Sequence, residues 1–413
     1  MTQTVTVGLP TGIPAVDTAN ITAAINALPP SGGLLIFEAG TYLIDSTITL
    51  PAQALVQGAA PAVLPDEFTS DGTTLLPIAD FTWCGGRMVD ATAAVDLQLR
   101  NLVIGPLGGT VADAGVANPC CLAVANNVYL SNVLVRNVHS AGPNPIWGVR
   151  QIGGGVWVTA DHLLVTNCDG GARLDNPAFL TWKQCYVGNS SATHNLEIVQ
   201  TPPNANSMVT FHQCLIDETA GIVSALISDC QDVSFVSCLF YANGAPALYD
   251  QGTRTKVTNS KLLAFGDAHH VTPYTADGSV DSVLQSCYLQ SSPGRPAVFL
   301  VNNGNVTLQH CTVAMQPGGT AAAGTGLAVF RNCPGINPRG ELGPDTPAVP
   351  ASGTPVTNDT GFDVVVYLSG GAAAPSAAAG ADTGLTAGSF RLPARQTITV
   401  TYTVAPTWRW IGD

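Results

Sequence analysis

Between residues 97 and 335 the chain repeats one short pattern: an apolar residue, two mostly polar positions, then Asn or Cys, then apolar residues again. It reads LRNLVI (Leu99–Ile104), LSNVLV (Leu130–Val135), ADHLLV (Ala160–Val165) and WKQCYV (Trp182–Val187). It continues as FHQCLI (Phe211–Ile216), FVSCLF (Phe235–Phe240), VTNSKL (Val257–Leu262), LQSCYL (Leu284–Leu289), LQHCTV (Leu308–Val313) and FRNCPG (Phe330–Gly335). The key position falls at Asn101, Asn132, His162, Cys185, Cys214, Cys238, Ser260, Cys287, Cys311 and Cys333, with 22 to 31 residues between neighbours. A recurring minimum with a variable excess is the signature of a solenoid whose coils carry loops at their corners. Each coil is then a set of short strands, each paired with its equivalent in the next coil, so that like positions stack about 4.8 Å apart. The pattern predicts a single-stranded parallel β-helix over residues 1–333.

The key position shows how the corner is filled. Cys and Ser are small and tolerate burial, and Asn can hydrogen-bond along a stack. The cysteines are therefore expected as a buried file of free thiols, because they recur at one coil position instead of pairing across loops. The chain has 11 Cys and no CxxC pair, so disulfides and a zinc ribbon are the weaker readings. A solenoid also needs a capped end. Residues 17–28, DTANITAAINAL, read as a short helix with Asp17 as N-cap and Ile21, Ala24, Ile25 and Leu28 on one face. Pro29-Pro30-Ser31-Gly32-Gly33 ends it, and the strand Leu34–Phe37 and a turn to Tyr42 follow.

The segment from Asp17 to Tyr42 resembles the start of the pectate-lyase-like superfamily, in which a D-T-x-x-I-x-x-A-I helix precedes a G-G-x-(I/V)-x-(F/L)-x-x-G-x-Y strand and turn. The resemblance implies an all-β fold, a right-handed parallel β-helix with an N-terminal capping helix. For activity it implies little, since that superfamily includes lyases, hydrolases, transferases and inert adhesins. The N-T-D, D-D, G-H-G and R-I-K motifs of polygalacturonase-like hydrolases do not occur in order. No carboxylate cluster suited to a calcium-dependent lyase can be assigned.

Beyond residue 333 the pattern changes. Residues 334–355 hold six prolines and read as a linker. Residues 356–413 read as a small β-sandwich-like domain, with strands at Phe362–Leu368, Ser389–Leu392 and Gln396–Val404. The Ala/Gly tract at 370–381 reads as a loop. This segment resembles a small β module of minor tail proteins from phages that infect actinobacteria. The resemblance implies a virion location, other tail proteins as partners, and a homotrimer. Trp408 and Trp410 are expected at a module or subunit interface, with stacking on sugar as the competing reading.

Composition narrows the partners. Charged residues make up only 10% of the chain and the formal net charge is −13, which disfavours nucleic acid and anionic lipid. No run of 18 apolar residues occurs, so no membrane insertion is expected. The N-terminus shows no secretory signal pattern, which fits release in a particle or by lysis. There is no P-loop, no dinucleotide turn and no convincing metal set, so no cofactor is expected. The polar group Asp267, His269, His270, Asp277 beside Tyr274 reads as a loop, since adjacent histidines cannot easily face one ion. Asp217-Glu218 reads as a solvated turn, and Asp229 and Asp232 as a loop around Cys230.

Chemistry is expected on one outward face. Registering Leu174, Leu196 and Leu248 inward turns Asp175 and Glu197 outward at one coil position, with Asp250 further along. Two carboxylates one coil apart disfavour joint ionisation, which is the starting arrangement for glycoside cleavage. Asp175, Glu197 and Asp250 are the catalytic candidates. Arg150, Arg173, His194 and Tyr249 are the substrate-binding candidates, the arginines for an anionic sugar. The expected function is a phage tail-associated protein that binds a host cell-surface polysaccharide and, if this face is catalytic, cleaves it. A secreted glycan-cleaving or glycosyl-transferring enzyme and an inert adhesive tail component are the alternatives.

Overall fold

Along the coil strands apolar and polar residues alternate, so one face of each strand can be buried and the other left to solvent. In Gly170–Asp175 the side chains of Ala172 and Leu174 are buried while Arg173 and Asp175 lie at the surface. The computed structural model describes residues 3–59, 72–105, 110–153, 156–201, 208–217, 222–264, 272–334, 336, 346–360, 362–377, 381–382 and 388–412. Of its described strands from Thr4–Val7 to Ala322–Arg331, all but Thr110–Val111 and His139–Ser140, which pair with each other, join in one 30-stranded sheet system in which successive coils pair in parallel. The fold is a right-handed parallel β-helix with a helical cap and a small antiparallel β unit after it.

One core runs the length of the solenoid. Trp182, Phe211 and Phe235 stack inside on consecutive coils, the two phenylalanine rings lying 4.9 Å apart and nearly parallel. Each fully buried side chain of this size contributes on the order of 1.5–3 kcal/mol. All 11 cysteines are free thiols, ten of them buried and Cys84 exposed. In the later coils the thiols donate back to carbonyls of the preceding coil, as Cys287 does to Val257 O at 3.2 Å and Cys311 to Leu284 O at 3.3 Å.

The corner register departs from expectation by one residue. Leu164 pairs with Tyr186, so His162 stacks on Gln184, and Cys185 continues the inward column of Leu163 and Val133. The true corner column is Asn101, Asn132, His162, Gln184, Gln213, Ser237, Asn259, Ser286, His310 and Asn332, all with φ between 51° and 56°. This left-handed conformation turns the chain from one sheet into the next, and Asn tolerates it best among residues with a side chain. The expected Asn ladder forms within this column, Asn132 Nδ2 donating to Asn101 Oδ1 at 3.2 Å.

The cap helix spans Pro14–Asn26, not 17–28, with proline in its first turn, where a missing N–H costs nothing. Asp17 is therefore not the N-cap. It lies inside the first turn, fully buried, and accepts from Thr11 N and Oγ1 at 2.7 Å each and from Leu43 N at 3.1 Å. Burial alone would raise its pKa, but these hydrogen bonds outweigh burial and hold the carboxyl below its usual range. The residue thus latches the helix to the first coil.

After the solenoid, a four-stranded and a three-stranded antiparallel sheet enclose a core of Val364, Val366, Leu368, Leu392, Ile398, Val400, Trp408 and Trp410. Both indoles are buried there, in edge contact at 5.7 Å, so neither is presented to a sugar. Residues 372–377, expected as loop, form a strand against Thr397–Val404. The described part of the proline-rich segment is no free linker: Trp408 Nε1 donates to Pro347 O at 2.6 Å and Tyr402 Oη to Pro350 O at 2.5 Å.

Candidate functional site

Three consecutive strands, Trp147–Gln151, Gly170–Asp175 and Leu196–Val199, present adjacent polar columns to the outside. Arg150 pairs in register with Arg173, and Arg173 with Glu197. Asp175 pairs with Val199, so it stands two residues further along the face than Glu197. The expected single coil position for the two carboxylates is corrected by this register. Leu174 stacks on Ile198 while Leu196 stacks on Ala172, a two-residue offset that keeps every side chain on its face.

Arg173 fills the space between the two acids. Its Nε donates to Asp175 Oδ1 at 2.8 Å and its Nη1 to Glu197 Oε2 at 2.5 Å. Arg150 Nε donates to Asp175 Oδ2 at 2.6 Å, and Arg150 Nη1 to Asn118 O at 2.8 Å. The face therefore holds an alternating chain, Arg150–Asp175–Arg173–Glu197, in place of a bare carboxylate pair. Its side chains are 14–22% exposed, so they line a recess and are shielded from salt more than a surface pair would be. Among the described residues no partner is found for Glu197 Oε1.

An indole supports this chain from the side. Trp147 lies outward, in a small apolar cluster with Cys120 and Ala123 that is separate from the solenoid core. The Arg173 guanidinium sits 5.8 Å from its ring centre, and its Nε1 donates to Asn118 Oδ1 at 3.3 Å. Glycine at residue 170 makes room for the ring on the next coil: a Cβ there would stand 2.6 Å from Thr193 Cγ2 and 2.7 Å from Trp147 Cε3. His194 precedes Glu197 at the same edge. Burial, helped by the charge of Arg173, lowers its pKa and outweighs the opposing influence of Glu197 and of a hydrogen bond to the Val223 backbone. Its Nδ1 is buried without a hydrogen-bond partner among the described residues.

Two other candidates lie elsewhere. Tyr249 is on the column of Arg173 and Glu197 but two coils beyond Glu197, with Leu226 between. Its hydroxyl donates to Asp277 Oδ2 at 2.8 Å, beside Gln251 Nε2 at 2.8 Å and Asn302 Nδ2, which donates to Oδ1 at 2.6 Å. Those donors outweigh burial and hold Asp277 below its usual range. Asp250 is not on this face at all. It pairs with Ile227 and Ala276, inward positions, and is fully buried. Its carboxylate accepts from Gly252 N at 2.9 Å, Thr255 Oγ1 at 2.9 Å, Tyr274 Oη at 2.6 Å and Ser282 Oγ at 2.8 Å. Four donors fill its lone pairs, which makes it a structural hub out of reach of substrate.

Sequence reasoning passed over Trp147, Asn118 and Asp277. Trp147 carried a misleading signal: it lies three residues before an outward arginine, and simple alternation would turn it inward. Asn118 carried none, because a loop residue gains its place only from the coil beneath. Asp277, read as part of a loop, ends the strand Tyr274–Asp277, and Tyr274 is buried. Glu218, Asp267, His269 and His270 lie outside the described residues. Asp217 accepts from Tyr186 Oη at 2.9 Å, and Asp232 pairs with Arg254 at 2.6 Å. Among the described residues no group of three or more His, Cys, Asp or Glu is arranged to hold a metal ion, and no helix is long and apolar enough to cross a membrane.

Comparison with known proteins places this geometry in context. The family described as rhamnogalacturonase A/epimerase, pectate lyase-like, matches residues 6–222. No curated protein matches. Among solved structures, the DFA-IIIase of Arthrobacter chlorophenolicus A6, without its lid and in complex with GF2, is 11% identical, with 78% of this chain and 94% of that one covered and a TM-score of 0.51. The A-module of the mannuronan C-5 epimerase AlgE6 of Azotobacter vinelandii is 12% identical over 77% of this chain and 90% of that one, TM-score 0.48. The catalytic unit of a thermostable GH87 alpha-1,3-glucanase of Streptomyces thermodiastaticus is 14% identical over 81% and 67%, TM-score 0.46. At these identities the likeness is one of fold.

Proposed function

The chain belongs to the rhamnogalacturonase A/epimerase family of pectate-lyase-like proteins, and from that premise we propose that its charged outward face binds a carbohydrate polymer and cleaves it by hydrolysis. The observation that carries this reading is the alternating chain Arg150–Asp175–Arg173–Glu197 laid across three consecutive coils beside the Trp147 indole. A polymer lying along the solenoid axis would meet one strand per coil, at about 4.8 Å spacing. Glu197, whose Oε1 has no partner among the described residues, gives a proton to the glycosidic oxygen as its bond to the anomeric carbon breaks, and a water adds to that carbon and releases its own proton. Asp175, fixed by two guanidiniums, faces the positive charge that develops on the sugar ring.

Reducing ends released from actinobacterial wall glycans and capsular polysaccharides, together with absorbance at 235 nm, test the proposal. Glu197→Gln is expected to lower release at least 100-fold with binding retained, and Asp175→Asn to weaken both. Shortening accompanied by a rise at 235 nm would replace hydrolysis with elimination. A second reading has its own observation: each charge in the chain has a partner inside it, as a purely structural ladder would. Binding without shortening of any glycan would favour that inert, adhesive role.

The finer placement in a phage tail is supported by the resemblance of residues 356–413 to a minor tail module. It predicts this chain in purified virions by mass spectrometry and a trimer by sedimentation. A monomer absent from particles would favour the secreted enzyme.

A further inference from the structure

A second site stands on a different sheet of the solenoid. The strands Leu97–Ile104, Val128–Arg136 and Val156–Thr166 pair in register, with Tyr129 on both Gln98 and Thr159. That register places Asp96, Asn127 and Trp157 in one corner column, and all three have positive φ, at 59°, 51° and 64°. Asp and Asn are ordinary there, since their short side chains bond locally. A bulky indole gains nothing from the conformation and carries its strain. The following coil pairs Val156 with Phe179 and Val158 with Leu180, so Trp157 is an extra residue bulged out of the ladder.

What the bulge achieves is display. The Trp157 side chain is 63% exposed and lies flat on Phe179, 39% exposed, with ring centres 5.0 Å apart and planes 12° from parallel. Folding alone explains neither the exposure nor the strain, and strain of this kind collects where a side chain has a task. Trp157 also walls a groove of about 290 Å³ lined by Asp96, Gln98, Asn127, Tyr129 and Thr159. Those residues supply a carboxylate, two amides and two hydroxyls. Arg100, the cation beside the groove, is engaged, with Nη2 on Gln98 Oε1 at 2.8 Å and its guanidinium 5.5 Å from the Tyr129 ring centre. With Gln98 Oε1 occupied, its amide nitrogen remains the donor.

We infer that the Trp157 groove is a second carbohydrate subsite, which takes a neutral sugar ring. The apolar face of the ring stacks on the indole, and its hydroxyls meet the amides and hydroxyls of the groove. The Asp96 carboxylate on the lining disfavours an anionic sugar. A second copy of this chain is a poorer occupant. The exposed apolar side chains in this register are Trp157, Phe179 and Met208, far short of the roughly 800 Å² per partner that a stable interface buries. The inference rests on the carbohydrate-binding part of the proposed function and is independent of cleavage.

The test is affinity electrophoresis of wild type, Trp157→Asn, Phe179→Ala, Arg173→Gln and Glu197→Gln through gels containing dextran, galactomannan or arabinan. At least one polymer is expected to retard the wild type. Trp157→Asn should lose affinity at least tenfold while its thermal midpoint holds or rises, because Asn suits the left-handed corner, and Phe179→Ala should lose less. Glu197→Gln should migrate as wild type. Equal retardation of wild type and Trp157→Asn, with loss in Arg173→Gln, overturns the subsite and leaves the charged-face reading standing. No retardation in any gel also overturns the subsite, and the release assay then decides separately whether the charged face acts on glycan. A wild-type dimer that Trp157→Asn converts to monomer in sedimentation overturns it in favour of self-association.

Discussion

Asp175 and Asp250 lie on strands of the same sheet, three coils apart, and one residue of register separates their roles. Asp175 is in an outward column, shared between two arginines in a partly solvated recess. Asp250 is in the adjacent inward column, surrounded by four neutral donors and closed to solvent. Nothing in their immediate sequences, RLDN and LYDQ, distinguishes them. The difference teaches that on a β-helix a carboxylate's function is set by parity along the strand: an odd step points it to solvent and an even step into the core.

The sharpest way to break the comparison is to remove both acids in turn. Asp250→Ala strands four buried donors and is expected to cost on the order of 3–5 kcal/mol, measured by urea denaturation. Asp175→Ala leaves Arg150 and Arg173 each short of one charge-assisted bond in a partly solvated recess and should cost less, about 1–2 kcal/mol. Equal costs would end the distinction between hub and site. Gly170→Ala tests whether Trp147 holds the outward group in place. The added methyl displaces the indole at a cost of about 1–3 kcal/mol and should abolish binding at the charged face.

Asp17 adds a third, buried carboxylate whose contribution depends on pH. Its folded pKa is depressed, so its stabilisation is fully present above the unfolded value of about 3.9 and is lost as pH falls through the folded value. Asp17→Asn should therefore be less stable than wild type at neutral pH, with the gap closing under acid. Denaturation midpoints between neutral and acid pH would show it, and a gap independent of pH would remove the latch. The smallest effect concerns the thiols. A disulfide-exchange reagent should titrate one thiol in the native protein, Cys84, and all 11 after denaturation.

The repeat was legible because stacking forces chemically similar residues to recur once per coil, and recurrence survives variable loops. The outward group was legible in part for the same reason. Arg173 and Glu197 alternate with Ala172, Leu174, Leu196 and Ile198, and alternation reveals the face. What failed was register between coils. The sequence frame aligned His162 with Cys185, where the fold aligns it with Gln184, because a left-handed corner can be occupied by Asn in one coil and Gln or Ser in the next. Asp250 failed through the same ambiguity: Leu248 is inward and alternation makes Asp250 inward as well, but a carboxylate on the core face is credible only once Gly252, Thr255, Tyr274 and Ser282 are seen to meet it.

By itself, then, the sequence determined the solenoid, its capped start, the change of architecture near residue 334 and the face that carries Arg150, Arg173, Asp175 and Glu197. These follow from period and alternation, which are local. The tertiary structure alone decided that Arg173 stands between the two acids, that Trp147 lies over Gly170, that Trp157 is displayed and Trp408 and Trp410 are not, and that Asp250 is a core residue. Each of these depends on which residue of one coil sits above which residue of the next, and that register is set by corners and bulges whose backbone conformation different side chains can adopt.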